Sequence, residues 1–481
     1  MRSESFADAR DQLERLVALR SQQCRCSISW GVVAGGNLVL TGANAAEPDP
    51  LPDQHTVFRI ASMTKSFTAA AIMILRDAGP LRLDDALAQI APEFAAVTGP
   101  TSDSPPITVR HLLSMASGLT TDDAWADRHV DISDDGLDEL LSKGAACAWA
   151  PETHGEYSNL GFAMLGRVIR RVSGRRPQDF ITDNLLEPLG MHRTTWVRPD
   201  HDDWARPYDV HDDQRVADLE PLGDGAIAPM GGLWSCVSDL ARWVTWFADA
   251  FPARDGHDDG PLCRASRREM QQVHRAWPTV HAPASGEGDE AVPERTDGVG
   301  YGFGLFVTHD TRFGHFVQHS GGLPGYGSNM RWLPQRGVGV IALANATYAP
   351  MSPLARRMLE ILDDHGLAAS KPCEPSDALV EAAHRLAALL SEWTDAAAQE
   401  LFADNVELDE SLARRARRAA ELVGERGAMS VASMSADTPL RGVATVRHDD
   451  GTECRIELDM SPLIPPRVQF YELIEQAEPT Q

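Results

Sequence analysis

Lysine is almost missing from this chain. Of its 44 basic residues only Lys65, Lys143 and Lys371 are lysines, and the other 41 are arginines. An arginine stays protonated and cannot take a proton from a hydroxyl, whereas a lysine can. Long apolar runs are missing too. The longest, around Ala69–Leu75, is far too short to span a bilayer. The first residues open onto a charged amphipathic helix to about Arg20, without the apolar core of a signal peptide. Basic excess is absent: a net charge of −26 argues against nucleic acid or an anionic membrane as a partner. Cysteine is sparse, seven scattered residues in a chain of 481, which fits a reducing cytoplasm better than a disulfide framework.

Several signature motifs are also wanting. No lysine follows a glycine, which removes a phosphate-binding P-loop, and no Gly-x-Ser-x-Gly elbow marks an α/β-hydrolase. There is no His-Glu-x-x-His. The four His-Asp-Asp triplets, starting at His201, His211, His257 and His448, lie in turn-like stretches without regular ligand spacing and read as surface turns. Neither a metal nor a cofactor is expected.

What is present centres on Phe58–Ala78. Phe67, Ala71, Ile74 and Ala78 recur at helical spacing, and Gly79-Pro80 stops the helix. Ser62 and Lys65 sit three apart at its front, a spacing that stacks an amine beside a hydroxyl. A serine is a poor nucleophile until a base takes its proton, and a buried lysine of lowered pKa is such a base. Taken alone, the same pair also fits a Ser62 helix cap with a solvated Lys65. That one of only three lysines stands here favours the chemical reading.

At 481 residues, two domains are expected. A hairpin (Ser27–Val33, Leu38–Thr41), a short helix capped by Thr108, a helix from Leu160 to Val172 and another from Ser235 to Phe247 lead into strands at Tyr301–Thr308, Phe313–His319, Gly327–Leu333 and Gly337–Ala344. Pro199–Pro221 reads as irregular surface, and 252–298 as a lid-like insertion with one helix near Ala265–His274. The expected division is a domain at 1–368, a linker at 369–376 and a small α+β domain at 377–481, with helices packed on one face of a four-stranded antiparallel sheet. The arginine-rich stretch Arg414–Arg418 reads as one salt-bridged helix face.

Two further motifs join the serine. Tyr157-Ser158-Asn159 begins a helix: a phenol shuttles protons and a carboxamide can hold both lysine and substrate. His319-Ser320-Gly321-Gly322 ends a strand, where glycines let a substrate backbone lie close and an N–H can face an oxyanion. With Phe58–Lys65, His111–Ser114, Ser117-Gly118-Leu119, Gly231-Gly232-Leu233, Tyr301–Gly304 and His319–Tyr326, the chain resembles, over about residues 5–365, the serine hydrolases related to class C β-lactamases, DD-peptidases, D-aminopeptidases and lactamase-like esterases.

The resemblance implies an α+β, β-lactamase/transpeptidase-like fold, an antiparallel sheet flanked by helices plus an all-helical subdomain. It implies an acyl-enzyme mechanism with Ser62 as nucleophile, Lys65 as base and Tyr157 as proton relay. Asn159, His319, Ser320 and Gly321 would bind substrate, and the N–H groups of Ser62 and Gly322 would form the oxyanion hole. The family's lactamases usually carry lysine where His319 stands, and a histidine there is expected to change charge near neutrality. The substrate is then a small ester, amide or short D-residue peptide. The alternatives are a DD-carboxypeptidase or weak β-lactamase, and a non-catalytic ligand-binding or scaffold protein of the same fold. Association into a homo-oligomer is left open.

Overall fold

The computed structural model describes residues 2–211, 214–217, 220–256, 258, 260–284, 294–369 and 372–474. The chain divides into two compact units, Met1–Ala369 and Ser370–Gln481. The linker expected at 369–376 includes residues 370 and 371, which lie outside the described residues.

The first unit is built on a nine-stranded antiparallel sheet. Its spatial order is Asn37–Asn44, Ile28–Ala34, Val338–Ala344, Tyr326–Leu333, Gly314–Leu323, Phe306–Asp310, Arg295–Tyr301 and Arg275–Ala276, with Val280–Ala282 also on Arg295–Tyr301. Alternation along the central strands sends side chains to two cores. Trp30, Val32, Val340 and Ala342 join Leu13, Leu16, Leu354 and Met358 of the helices Arg2–Cys24 and Met351–Asp364 on one face. Val33, Ile341, Leu343 and Trp332 pack on the other face with the helix Val237–Ala248 and a helical region spanning Thr64 to Ile181. The fold is therefore α+β, with an antiparallel sheet flanked by helices and a helical subdomain.

Three expectations change. The helix Thr64–Asp77 does not bury a single stripe: Ile72, Met73 and Leu75 are buried as well, while Ala78 is exposed, because the helix runs through the middle of the subdomain. Pro199–Pro221 is not wholly irregular, since Tyr208–His211 pairs with Gln214–Ala217. Arg215 lies over the Tyr208 ring and bonds the Asp49 carboxylate at 2.6 Å, and the Tyr208 hydroxyl donates to the same carboxylate at 2.8 Å. The described parts of 252–298 include a helix, Arg264–Met270, and strands at Arg275–Ala276, Val280–Ala282 and the start of Arg295–Tyr301, joined by irregular segments, so the stretch is not loop alone after the helix. Residues 257, 259 and 285–293 of that stretch, His257 included, lie outside the described residues.

The second unit is a four-stranded antiparallel sheet in sequence order, Met429–Thr438, Arg441–His448, Glu453–Met460 and Val468–Ile474. Its apolar face, with Ala444, Val446, Ile456 and Leu458, packs on Leu379, Leu386 and Leu390 of the helix Asp377–Ser391. Arg414, Arg415 and Arg418 converge on Glu410 as a salt-bridged face. Among the described residues no helix is long and apolar enough to cross a membrane, and no group of three His, Cys, Asp or Glu side chains is placed to hold a metal.

Candidate active site

The turn that carries Ser62 is fixed before its helix begins. Phe58 and Arg59 pair with Ser235 and Trp234, and the Ile60 N–H donates to the Leu233 carbonyl at 3.0 Å. Ala61 then adopts φ 48°, a left-handed conformation that costs a non-glycine residue about 1–3 kcal/mol. This kink turns the chain into a single 3-10 turn, Ala61–Met63, so Ser62 precedes the α-helix and caps nothing with its side chain.

One turn on, Lys65 is fully buried. Its Nζ donates to Ser62 Oγ at 3.0 Å, Asn159 Oδ1 at 2.6 Å and the Met230 carbonyl at 2.9 Å. Burial pulls the amine down to about 8, opposed by the nearby carboxylates Asp123, Asp127 and Asp122. Once the proton is lost, the amine keeps two N–H bonds for two oxygens, Asn159 Oδ1 and Met230 O, that can only accept. Its lone pair is then left facing the Ser62 hydroxyl.

Asn159 is oriented from both sides. It opens the helix Asn159–Ser173, capped by Ser158, whose Oγ accepts from the Gly161 N–H at 3.2 Å. Its Nδ2 donates to Asp123 Oδ1 at 2.7 Å, while Asp122 accepts the N–H groups of Asn159 and Leu160 at 2.7 and 2.8 Å. Carboxylates at a helix N-terminus are favoured by its dipole. The Tyr157 ring centroid lies 4.8 Å from Lys65 Nζ. Burial raises the phenol well above its usual value, partly offset by a hydrogen bond with Ser62, so it rests as an O–H.

Across the cleft, the strand Gly314–Leu323 closes on the serine turn. A Cβ on Gly321 would lie 2.2 Å from the Ile60 carbonyl oxygen, and one on Gly322 would lie 2.7 Å from Tyr348 Cδ1. Neither position admits a side chain, and the Ser328 hydroxyl donates to the same Ile60 oxygen at 2.9 Å. Ser320 Oγ accepts from Asn329 Nδ2 at 2.9 Å. The cleft between these walls encloses about 540 Å³ and is lined by Ser62, Tyr157 and the whole His319–Gly322 run.

His319 departs from expectation. Its Nδ1 lies 2.6 Å from the Ser320 carbonyl, which can only accept, so the proton sits on Nδ1. Nε2 then accepts from the Tyr301 hydroxyl at 3.1 Å. Only 1% exposed, with burial and the Lys65 charge both opposing a second proton, the ring is pulled down to about 3. It is neutral through the physiological range, and the expected change of charge near neutrality does not occur.

The structure thus places Ser62, Lys65 and Asn159 in one hydrogen-bonded chain, with Tyr157, His319, Ser320, Gly321 and Gly322 around the same cleft. Sequence reasoning missed Asp122, Asp123 and Asp127, and the aromatic residues Trp277 and Tyr348 that also line it. The only signal was a run of acids after Ser117-Gly118-Leu119, with no spacing of its own.

Comparison with known proteins bears on the family and the fold. The chain is 28% identical over 313 residues to penicillin-binding protein 4* of Bacillus subtilis, a match covering 61% of this chain and 62%, less than two thirds, of that protein. It is 28% identical over 313 residues to the D-alanyl-D-alanine-carboxypeptidase/endopeptidase AmpH of Escherichia coli, covering 63% and 74%. Esterase EstB of Burkholderia gladioli is 29% identical over 341 residues, covering 62% and 80%. The fold matches that of an octameric penicillin-binding protein homologue from Pyrococcus abyssi with a TM-score of 0.61 at 22% identity, over 94% of this chain and 91% of that one. The sequence model of the Beta-lactamase family matches residues 10–363, and the chain belongs to that family.

Proposed function

We propose that this protein is a serine hydrolase that works through an acyl-enzyme on small esters, amides or short D-residue peptides. The observation that carries the reading is the hydrogen bonding of Lys65, which leaves the neutral amine a single use for its lone pair: the Ser62 proton.

In acylation, Ser62 Oγ attacks the substrate carbonyl as its proton passes to Lys65. The N–H groups of Ser62 and Gly322 receive the oxyanion. Tyr157, protonated at rest, gives its proton to the leaving group and is reprotonated from Lys65. In deacylation a water attacks the acyl ester, its proton travels through Tyr157, and Ser62 departs with a proton restored. Asn159 keeps Lys65 in place and offers its amide to the substrate. Ser320 and Gly321 line the path of the substrate backbone. Neutral His319 shapes this wall and supplies no cation for a substrate carboxylate, which supports esterase- or amidase-type turnover over strong β-lactamase activity. The names of the relatives, a carboxypeptidase/endopeptidase and an esterase, support the same range. None of the seven cysteines is joined in a disulfide, in keeping with a cytoplasmic location.

The test is covalent labelling. A fluorophosphonate is expected to add once to the intact protein at Ser62, and Ser62→Ala is expected to abolish the adduct. Labelling elsewhere, or none at pH 8 to 9, would sink the proposal.

A further inference from the structure

The walls of the cleft differ in charge. Asp123 and Asp127 both line it, together with Trp277, Tyr157, Phe306 and Tyr348, and no arginine does in a chain that has 41. Asp127 is only 3% exposed. Its Oδ2 accepts from the Tyr348 hydroxyl at 2.9 Å, and its other oxygen has no partner among the described residues. Neither carboxylate forms an ion pair with a described side chain. Lys65, whose three N–H bonds are already committed, is the cation of the catalytic group, and Arg59 and Arg128 border Asp127 in an adjoining pocket. Tyr348 itself is held at φ 50°, a strained conformation for a bulky residue, while its hydroxyl meets Asp127.

Holding Asn159 explains Asp122 and Asp123 but not Asp127, which makes no bond to that side chain. A nearly buried carboxylate that makes no direct ion pair is costly unless something brings a cation into contact with it. A cation entering this cleft meets two carboxylates and aromatic faces that attract positive charge. An anion meets the same carboxylates, and no lysine or arginine is among the described residues that line the cleft.

Resting on the hydrolase reading above, we infer that the cleft selects substrates carrying a positively charged group, an amine or quaternary ammonium, with Asp127 as the principal recognition residue and Asp123 as its partner. Burial sets Asp127 at about 6, so it is ionised at neutral pH.

The test uses a pair of esters alike in shape: butyrylcholine and 3,3-dimethylbutyl butyrate, which replaces the quaternary nitrogen with carbon. Binding is measured by calorimetry at pH 7.5 on the full chain carrying Ser62→Ala, so turnover does not intervene. The cationic ester is expected to bind at least tenfold tighter than the neutral one, and adding Asp127→Asn is expected to bring that ratio close to one. Should Asp127→Asn not fold, Asp123→Asn serves instead, because it keeps an acceptor for Asn159 Nδ2 and is expected to reduce the ratio at least threefold. Equal binding, a preference for the neutral ester, no saturable binding of the cationic ester, or a ratio indifferent to these substitutions each overturns the inference. Turnover of both esters by the wild-type chain is scored separately. Selective binding without hydrolysis would sink the hydrolase reading alone, and hydrolysis without selectivity would sink this inference alone.

Discussion

The two units treat charge in opposite ways. In the first, Lys65, Arg331, Arg356 and Glu360 are buried, along with Asp127 and His319. In the second, the only buried polar side chains among the described residues are His448 and Ser461, and pairs such as Arg447 with Glu453 lie in solvent. Burying Lys65 with a pKa near 8 in place of 10.5 opposes folding by about 3 kcal/mol at neutral pH, a cost that fades as pH rises toward 10.5. A unit that accepts such a cost holds a reactive amine; a unit that avoids it is free to change its surface. Substitutions of the same chemical kind should therefore have very different effects in the two.

The largest contrast is expected at Ser62 and Lys65. Ser62→Ala and Lys65→Ala should each lower kcat at least roughly 10³-fold, and the double variant should lose little more, because the two act as one unit. Near-half activity in either single variant, or multiplicative losses in the double, would break the assignment. Next comes the ion cluster in which Arg356 binds Asp310 and Glu360. Arg356→Met leaves buried Asp310 without a cation and Glu360 with Arg357 alone, and should cost about 3–5 kcal/mol in a denaturant titration.

The pH profile sharpens the comparison further. A base must be neutral to act, so log kcat/KM for a neutral ester should climb with a slope near one below about pH 8 and flatten above it. His319 should contribute no inflection between pH 5 and 8, since its ring is neutral above about 3. A break near pH 6.5 that vanishes in His319→Gln would show that the ring is hydrated and titrates. The smallest effect belongs to the second unit: Arg447→Ala should cost less than about 1 kcal/mol, as a solvent-exposed pair does, and leave kcat unchanged.

Much of the site was legible in the sequence because its chemistry is local. Ser62 and Lys65 are one helical turn apart, Tyr157 and Asn159 flank one helix cap, and His319–Gly322 is one strand end. The rest depends on what packing brings in. Asp122 and Asp123 reach Asn159 from 37 and 36 residues away, and no short spacing records that meeting. The charge of His319 is set by burial and by the Lys65 charge, neither visible in a His-Ser-Gly-Gly run. The fold shows the same division. Strands that are apolar throughout, such as Val338–Ala344, stand out, whereas Arg295–Tyr301 begins Arg-Thr-Asp-Gly and shows no such run. The pairing of Tyr208–His211 with Gln214–Ala217 is tied to Asp49 by both Arg215 and Tyr208, contacts that span 166 and 159 residues.

The seam between Ile60 and the glycine strand also bears on how the molecule assembles. Ser328 reaches the Ile60 carbonyl across 268 residues, and Gly321 approaches it with no room for a methyl group. Contacts this far apart in sequence form only after a large loop has been closed. A refolding chain can therefore build its helices and hairpins and still lack half of its reaction site. During refolding, return of esterase turnover should trail the far-ultraviolet signal and keep step with docking of the last central strands, so that enzyme activity serves as a clock for the final stage of folding.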